Sequence, residues 1–466
     1  MNTTIANRIF IEDPSDEVVS WVKENLRFPN PEYEKKQRMG YWVGRTPKEL
    51  RLFEWNGNTL ILPFGVCREI MPLLKGTTLY TDFRQDTIIS YGGKSMALYD
   101  YQKEAVIRMI EAKYGILKAT TGSGKTQMGI ALIKAFRRRA LWLCHTADLL
   151  NQSRDRALQY MDENLIGTIT EGKVNVGSGV TFATVQTMAN LELTQYRDYW
   201  DVVIVDECHR VSSSATSFTR YEKVLNHLSA RHKIGLTATP ARSDGLIRAT
   251  FALIGKVAYE VPDAAIADRV MNVKVYEKTT GIKLDEDKCL NPDGTKSYAK
   301  LIEYITTHPD RNRQIAREIM NCKGHSCLIL SDRLNQLEAI RMLLPYEMQE
   351  ESAFINGKMT SKEAKAKREQ AIENMRTGKY KYLFASYSLA KEGLDIPCLD
   401  RLFLASPAKY STVIEQAVGR IRRTAEGKDM PIVMDFVDED IDYCMKAYKE
   451  RRRSYRKIGA VIAKGF

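Results

Sequence analysis

The sequence predicts an α/β protein with two parallel-sheet domains in tandem behind a small α+β amino-terminal domain. Three observations lead there. From Leu98 to about Val261, short apolar runs alternate with helical stretches, the pattern of a parallel sheet covered on both faces. The alternation restarts near Leu301, so the second half looks like another copy of the same architecture. And 466 residues are too many for one ordinary core, at roughly 150 residues per domain.

The first region, 1–93, closes on Gly92-Gly93, and its charges balance at twelve acidic against twelve basic residues. Asp13-Pro14 followed by Val18, Val19, Val22 and Leu26 reads as a capped amphipathic helix with proline in its first turn. Arg51 to Trp55 and Asn58 to Leu62 read as strands around an Asn56-Gly57 turn with two positive-φ residues. In 94–261, Ile116-Leu117, Leu141 to Leu143, Val202 to Val205 and Ile234 to Leu236 are the expected strands. Residues 262–300 are mixed and read as a linker with inserted structure. In 301–466, strands are expected at Cys327 to Leu330, Tyr382 to Ala385, Leu402 to Ala405 and Ile432 to Met434, before a basic tail.

Composition narrows the class. With 44% hydrophobic and 27% charged residues the chain reads as soluble and globular. Its surplus of 70 basic over 58 acidic residues favours an anionic partner. Eight dispersed cysteines do not make a disulfide framework, which points to a reducing compartment, the cytoplasm. Met1-Asn2-Thr3-Thr4 does not open a secretory signal, and no apolar run is long enough to span a bilayer, so no membrane role is expected.

The chemistry concentrates in three places. Ala119-Thr120-Thr121-Gly122-Ser123-Gly124-Lys125-Thr126 follows a strand and opens a helix, the setting of a phosphate loop. Thr121, Gly122, Ser123 and Gly124 would offer backbone N–H groups to phosphate oxygens. Lys125 would neutralise the outer phosphates of ATP, and Thr126 would ligate Mg²⁺. Ala119 stands where the general pattern has its first glycine. Asp206-Glu207-Cys208-His209 ends the apolar run Val202 to Val205, and such a strand end faces the ligand crevice. Asp206 would hold Mg²⁺ through its shell, and Glu207 would orient the attacking water. In the second half, Gln416 to Arg423 carries Gln416, Arg420 and Arg423, candidates for reaching the γ-phosphate and stabilising transition-state charge.

These blocks, with Tyr101-Gln102, Leu236 to Pro240 and Glu392 to Asp395, resemble superfamily 2 helicases in their order, over about residues 95–425. The resemblance implies two RecA-like domains and ATP with Mg²⁺ as cofactors. It places Gln102 at adenine, Thr237 and Thr239 at the coupling of hydrolysis to domain movement, and Thr184 and Thr187 on one nucleic-acid strand. Asp395 and Glu392 would sit where nucleotide and nucleic-acid sites meet. Cys208, and Ala238-Thr239-Pro240 followed by Arg242-Ser243-Asp244, look more like the XPB and UvsW branch than the RNA-helicase branch. XPB proteins usually carry an acidic residue where this chain has Ser243.

The favoured expectation is an ATP-dependent DNA helicase on branched or forked DNA, of the tailed-phage type linked with branch migration, recombination and repair. It would be a monomer or weak oligomer in the host cytoplasm. An RNA helicase and a restriction-type motor subunit are the enzyme alternatives, and an ATP-switched nucleic-acid clamp is the non-motor one.

The remaining signals divide. Cys322, His325 and Cys327 lack a fourth zinc ligand and read as ordinary thiols. Arg137 to Arg139 read as a solvated helix end. The tail from Met445 to Phe466 holds eight basic residues and one acidic, either a solvated amphipathic helix or a phosphate contact. In the first region Lys35, Lys36, Arg38, Arg45, Lys48 and Arg51 alternate with Tyr33, Tyr41, Trp42, Phe53 and Trp55. Here the aromatics are either the core of a small domain or a stacking surface for bases, in which case Lys35, Lys36, Trp42 and Arg242 join the nucleic-acid contacts. The 18 residues from Cys398 to Glu415 leave no room for a wedge hairpin, so a strand-separating element would come from the first region, which is favoured, from the Arg242-Ser243-Asp244 loop, or from the stretch 262–300.

Overall fold

The computed structural model describes residues 2–44, 46–82, 88–212, 215–238, 246–356, 362–391, 394, 396–408 and 411–464. It divides into two compact units, Met1–Ala265 and Ile266–Phe466.

The first unit opens with a five-stranded sheet in the order Glu54–Asn56, Thr59–Pro63, Arg8–Glu12, Asn2–Ile5, Thr78–Thr81. Helix Asp16–Asn25 covers it with Val18 and Val22, and its cap is Ser15, whose hydroxyl accepts from the Val18 N–H at 3.4 Å. Pro14 therefore lies outside the helix. The expected Asn56-Gly57 turn shifts by one residue. Asn56 pairs with Thr59, the turn residues are Gly57 and Asn58, and only Gly57 has positive φ, at 59°. A glycine at the first of two turn positions is the other tight hairpin solution.

The eight-stranded sheet of the first unit runs Lys173–Asn175, Ile166–Thr170, Val180–Thr184, Ala140–Cys144, Val202–Val205, His232–Thr237, Gly115–Lys118, Val257–Glu260. All its pairings are parallel except that of Lys173–Asn175. Its central strands Ala140–Cys144 and Val202–Val205 are buried throughout, which is why they read as continuous apolar runs.

The break expected at Gly93 does not separate two cores. Ala249 and Ala252 of helix Ile247–Ile254 join Ile9, Ile11, Leu60 and Leu62 in one apolar cluster. Gly65 packs so close to that helix that a Cβ there would lie 2.4 Å from the Phe251 carbonyl oxygen.

The second unit holds a seven-stranded, wholly parallel sheet: Ser352–Ile355, Tyr382–Ala385, Cys327–Leu330, Arg401–Leu404, Ile432–Val437, Lys274–Thr279, Val461–Lys464. Lys274–Thr279 comes from the stretch expected to be linker, and Val461–Lys464 from the expected tail. The tail is therefore part of the fold. Arg451 of helix Asp442–Lys457 is buried against Asp435, with Nη2 2.9 Å from Oδ1, and Lys457 reaches Glu415 at 2.9 Å.

Candidate functional site

The phosphate loop sits between strand Gly115–Lys118 and helix Lys125–Phe136. Its backbone depends on glycine at two points. Gly122 has φ 92° with open space where a Cβ would be, and Gly124 has φ 79° with Gln102 Nε2 only 2.4 Å from such a Cβ. The loop is tied internally by the Ser123 hydroxyl, which donates to the Thr120 carbonyl at 2.8 Å. The helix begins without a side-chain cap, so its first N–H groups and dipole are directed at the loop, where an anion is favoured.

Gln102 comes to this loop, but as a brace. Its side-chain amide N–H donates to the Ser123 carbonyl at 3.0 Å, and its Oε1 accepts from the Tyr99 N–H at 3.1 Å. Tyr101 OH donates to the same Ser123 carbonyl at 3.0 Å. Tyr101 and the half-exposed Tyr99, whose rings are stacked with centroids 5.9 Å apart, were not among the expected site residues.

Asp206 and Glu207 follow strand Val202–Val205 directly. Asp206 is buried, with Oδ1 accepting from the Glu207 N–H at 2.9 Å and Oδ2 from the Ser153 hydroxyl at 3.4 Å. Burial, and then the like charge of Glu207, push its pKa well above the usual carboxylate range. Glu207 occupies the left-handed region at φ 47°, an uncommon conformation for a side-chain-bearing residue, which turns its carboxylate back toward Lys125. Lys125 Nζ lies 4.0 Å from Glu207 Oε1. Helix Ala147–Leu158 supplies Ser153, a partner no spacing in the sequence reveals.

His209 joins this centre to the neighbouring strand. Its Nδ1 is 3.3 Å from Glu207 Oε2 and 3.0 Å from Thr237 Oγ1. The Thr237 carbonyl in turn accepts the Ala119 N–H at 2.9 Å. Thr237 is thus wired to both the acidic pair and the start of the phosphate loop. Cys208 is buried beneath Gly235, where a Cβ would lie 2.7 Å from its sulfur, and burial raises its thiol pKa. It packs rather than reacts.

The donor set at Thr126 and Asp206 fits a hard divalent cation. Two adjacent carboxylates, one of them buried and disfavoured as an anion, present oxygen ligands beside a phosphate cradle. Thr126 lies in the first turn of the helix. These two residues would hold Mg²⁺, which when bound would neutralise phosphate charge.

The nucleic-acid candidates are dispersed. Thr184 ends a buried strand and its hydroxyl donates to Thr187 Oγ1 at 3.0 Å. Lys36 is occupied within its own helix and loop, 2.9 Å from Glu32 Oε1 and donating to Thr46 Oγ1 at 2.8 Å. Lys35 and Trp42 are exposed. Thr239, Arg242, Glu392 and Asp395 lie outside the described residues.

In the second unit, helix Ser411–Ile421 buries Gln416 and leaves Arg420 half-buried. Gln416 and Arg420, four apart, share a side of that helix, whereas Arg423 lies past its end, in an antiparallel bridge with Val270. Arg422 is a staple: its Nε donates to the Met271 carbonyl at 2.9 Å and its Nη1 to the Ile458 carbonyl at 3.0 Å. Of Cys322, His325 and Cys327, the imidazole is directed to Asp400 and Arg401. His325 Nδ1 bonds Asp400 at 2.8 Å, its Nε2 accepts from Arg401 Nη2 at 3.0 Å, and burial raises both thiols.

Comparison with known proteins bears on the whole arrangement. Residues 95–242 match the family described as type III restriction enzyme, res subunit, and residues 310–425 match the helicase conserved C-terminal domain. A protein of Acanthamoeba polyphaga mimivirus named as an ATP-dependent RNA helicase is 27% identical over 414 residues, 87% of this chain and 76% of that one. The DNA 3'-5' translocase XPB2 of Sulfurisphaera tokodaii is 25% identical over 358 residues, 70% of this chain and 78% of its own. Among solved structures, a fragment of an HsdR subunit of a type I restriction enzyme from Vibrio vulnificus YJ016 aligns over 97% of this chain and 83% of its own, with TM-score 0.58 at 16% identity. No described helix is long and apolar enough to cross a membrane.

Proposed function

Since the chain belongs to superfamily 2 of helicases, in the XPB/UvsW-like branch, we propose that it is an ATP-driven DNA motor moving 3'-to-5' on branched or forked DNA. The observation that carries the motor reading is the grouping of Lys125, Asp206 and Glu207 at one mouth of the first parallel sheet. In this reading the loop N–H groups and Lys125 hold the phosphates, and Glu207 accepts a proton from the attacking water. His209 and Thr237 pass the state of that centre along the strand His232–Thr237. Arg423, Arg420 and Gln416 of the second unit are candidates for stabilising transition-state charge. Gln102 acts by bracing the phosphate loop as well as by any contact with adenine.

The choice of DNA rests on the XPB-named relative and on the cysteine and post-strand residues of the motor blocks. The RNA-helicase name of the mimivirus relative makes RNA the second reading. ATP turnover and strand movement, measured at one salt concentration with single strands, duplex, four-way junction and RNA, separate the two. Junction DNA is expected to give the highest turnover and movement toward the 5' end of the tracked strand. Stimulation by RNA alone would replace DNA with RNA, and 5'-to-3' movement would remove the polarity.

A further inference from the structure

The geometry points to the loop 39–44 as a preformed stacking site for an unpaired nucleobase, with Trp42 as its platform. Trp42 is 88% exposed and Tyr41 64% exposed, and neither contributes to the aliphatic core of its region. With Met39 at 54%, the two rings form a contiguous exposed patch rather than one isolated side chain, and such a patch marks an interaction surface.

The loop is held rather than loose. Helix Pro31–Arg38 leads into it, and strand Glu49–Arg51 leads out, paired with Arg27–Pro29. Asn30, buried at its base, closes it three ways. Its Oδ1 caps the helix by accepting the Glu32 N–H at 3.0 Å, its Nδ2 donates to the Pro47 carbonyl at 2.9 Å, and its N–H donates to the Lys48 carbonyl at 3.0 Å. Nearer the tip, the Tyr41 N–H donates to the Lys36 carbonyl at 2.9 Å, and Lys36 Nζ bonds Thr46 on the return limb. At the tip the indole lies against Gly44, whose φ is 52° and where a Cβ would be 2.8 Å from the ring. The absence of a side chain at Gly44 gives the ring a backbone floor. A rigid aromatic surface loses little entropy when it is covered.

Charge selects the occupant. From Lys35 to Lys48 the sequence has five basic residues and no acidic one. Lys36 is occupied, while Lys35, Arg38 and Lys48 are exposed around the aromatic tip. An apolar protein segment would use the rings but not the cations. A base flanked by phosphates uses both. The occupant is therefore a single-stranded polynucleotide segment, and this inference rests on the nucleic-acid motor reading while assigning it a site.

Tryptophan emission of the full chain, titrated with oligothymidylate, tests it. Trp142 and Trp200 are fully buried and cannot stack on an added strand, and because Trp55 is 48% exposed the titrations are run in a Trp55→Phe background. Binding is expected to quench the exposed emission, and Trp42→Phe to remove most of that quench while keeping affinity within about 3-fold. Trp42→Ala should weaken binding about 10-fold or more, with the salt slope of log affinity unchanged. The pair Lys35→Gln and Arg38→Gln should instead flatten that slope by about 0.7 per lost phosphate contact. An oligonucleotide that raises ATP turnover but leaves the emission of the parent chain unchanged would overturn the stacking site and leave the motor standing. Unweakened binding by Trp42→Ala would do the same. If no polynucleotide binds or raises turnover, the motor reading fails first.

Discussion

Asp206 and Asp438 occupy matching places in the two units, each directly after a fully buried parallel strand. Their surroundings are opposite. Asp438 is clasped by the buried Arg311, with Nε 2.8 Å from Oδ1 and Nη2 3.3 Å from Oδ2, and takes a further hydrogen bond from the Thr280 hydroxyl at 2.7 Å. Asp206 has one backbone N–H, a long hydroxyl contact and a like-charged neighbour, while Lys125 stands 4.0 Å from Glu207. The same strand-end carboxylate is therefore clasped inside one unit and, among the described residues, meets no such clasp in the other, where the proposed function has a bound cation complete it. A sheet mouth becomes a reaction site where the fold does not complete its own charge pairing.

The largest effect should come from the incomplete side. Lys125→Ala removes the cation facing the phosphates, and ATP turnover should fall to background while the urea midpoint of unfolding stays within error. Phosphate release and urea titration on the same sample measure both. A variant that unfolds early would place Lys125 with Arg311 among structural cations and break the contrast.

The complementary change is Arg311→Met. Leaving Asp438 buried without its cation should cost about 3–5 kcal/mol of stability in the second unit. ATP binding by the first unit should persist, read by a fluorescent nucleotide below the unfolding transition. If stability holds within about 1 kcal/mol, Asp438 is less dependent on its partner than the geometry implies.

The contrast also explains what was legible in the sequence. The phosphate loop and Asp206-Glu207 could be read directly because their chemistry needs contiguous residues after a strand. The inner strands were legible because burial on both faces writes them as apolar runs, Val202 to Val205 above all. Lys274–Thr279, with polar residues through its length, gave no such run, yet it pairs along its whole extent with Ile432–Val437. The clasp of Asp438 by Arg311 spans 127 positions, and nothing local marks either residue. The tail reads as a solvated amphipathic helix or a phosphate contact because the sequence does not show which of its basic residues meet acids. Only the fold separates buried Arg451 from half-buried Arg452 and exposed Arg453. Tyr41 and Trp42 were ambiguous for the same reason, since composition does not tell an aromatic core from an aromatic surface.

Lys233 is the intermediate case, and it gives the smallest and finest test. It is fully buried in the strand His232–Thr237, with no carboxylate within salt-bridge range among the described residues. Its Nζ donates to the Leu225 carbonyl at 2.6 Å and to the Asn7 carbonyl at 3.0 Å, and lies 5.0 Å from the centre of the Phe64 ring. It thereby ties the amino-terminal sheet to the motor sheet. Burial without a counter-charge lowers its pKa from 10.5 to about 7. Below pH 7 both folded and unfolded chains carry the proton, and the folded one bears the full cost of burying it. Above pH 7 the folded chain sheds the proton while the unfolded chain keeps it up to its own pKa. Stability of the first unit should therefore rise with pH in this window, by about 1–2 kcal/mol between pH 7 and 9. In Lys233→Met that rise should vanish, and subtracting its profile from the parent's removes the other groups that titrate nearby. A parent profile that is flat, or that falls, relative to Lys233→Met would mean that the two carbonyls hold Lys233 charged. It would then belong with Arg311 rather than between the two carboxylate sites.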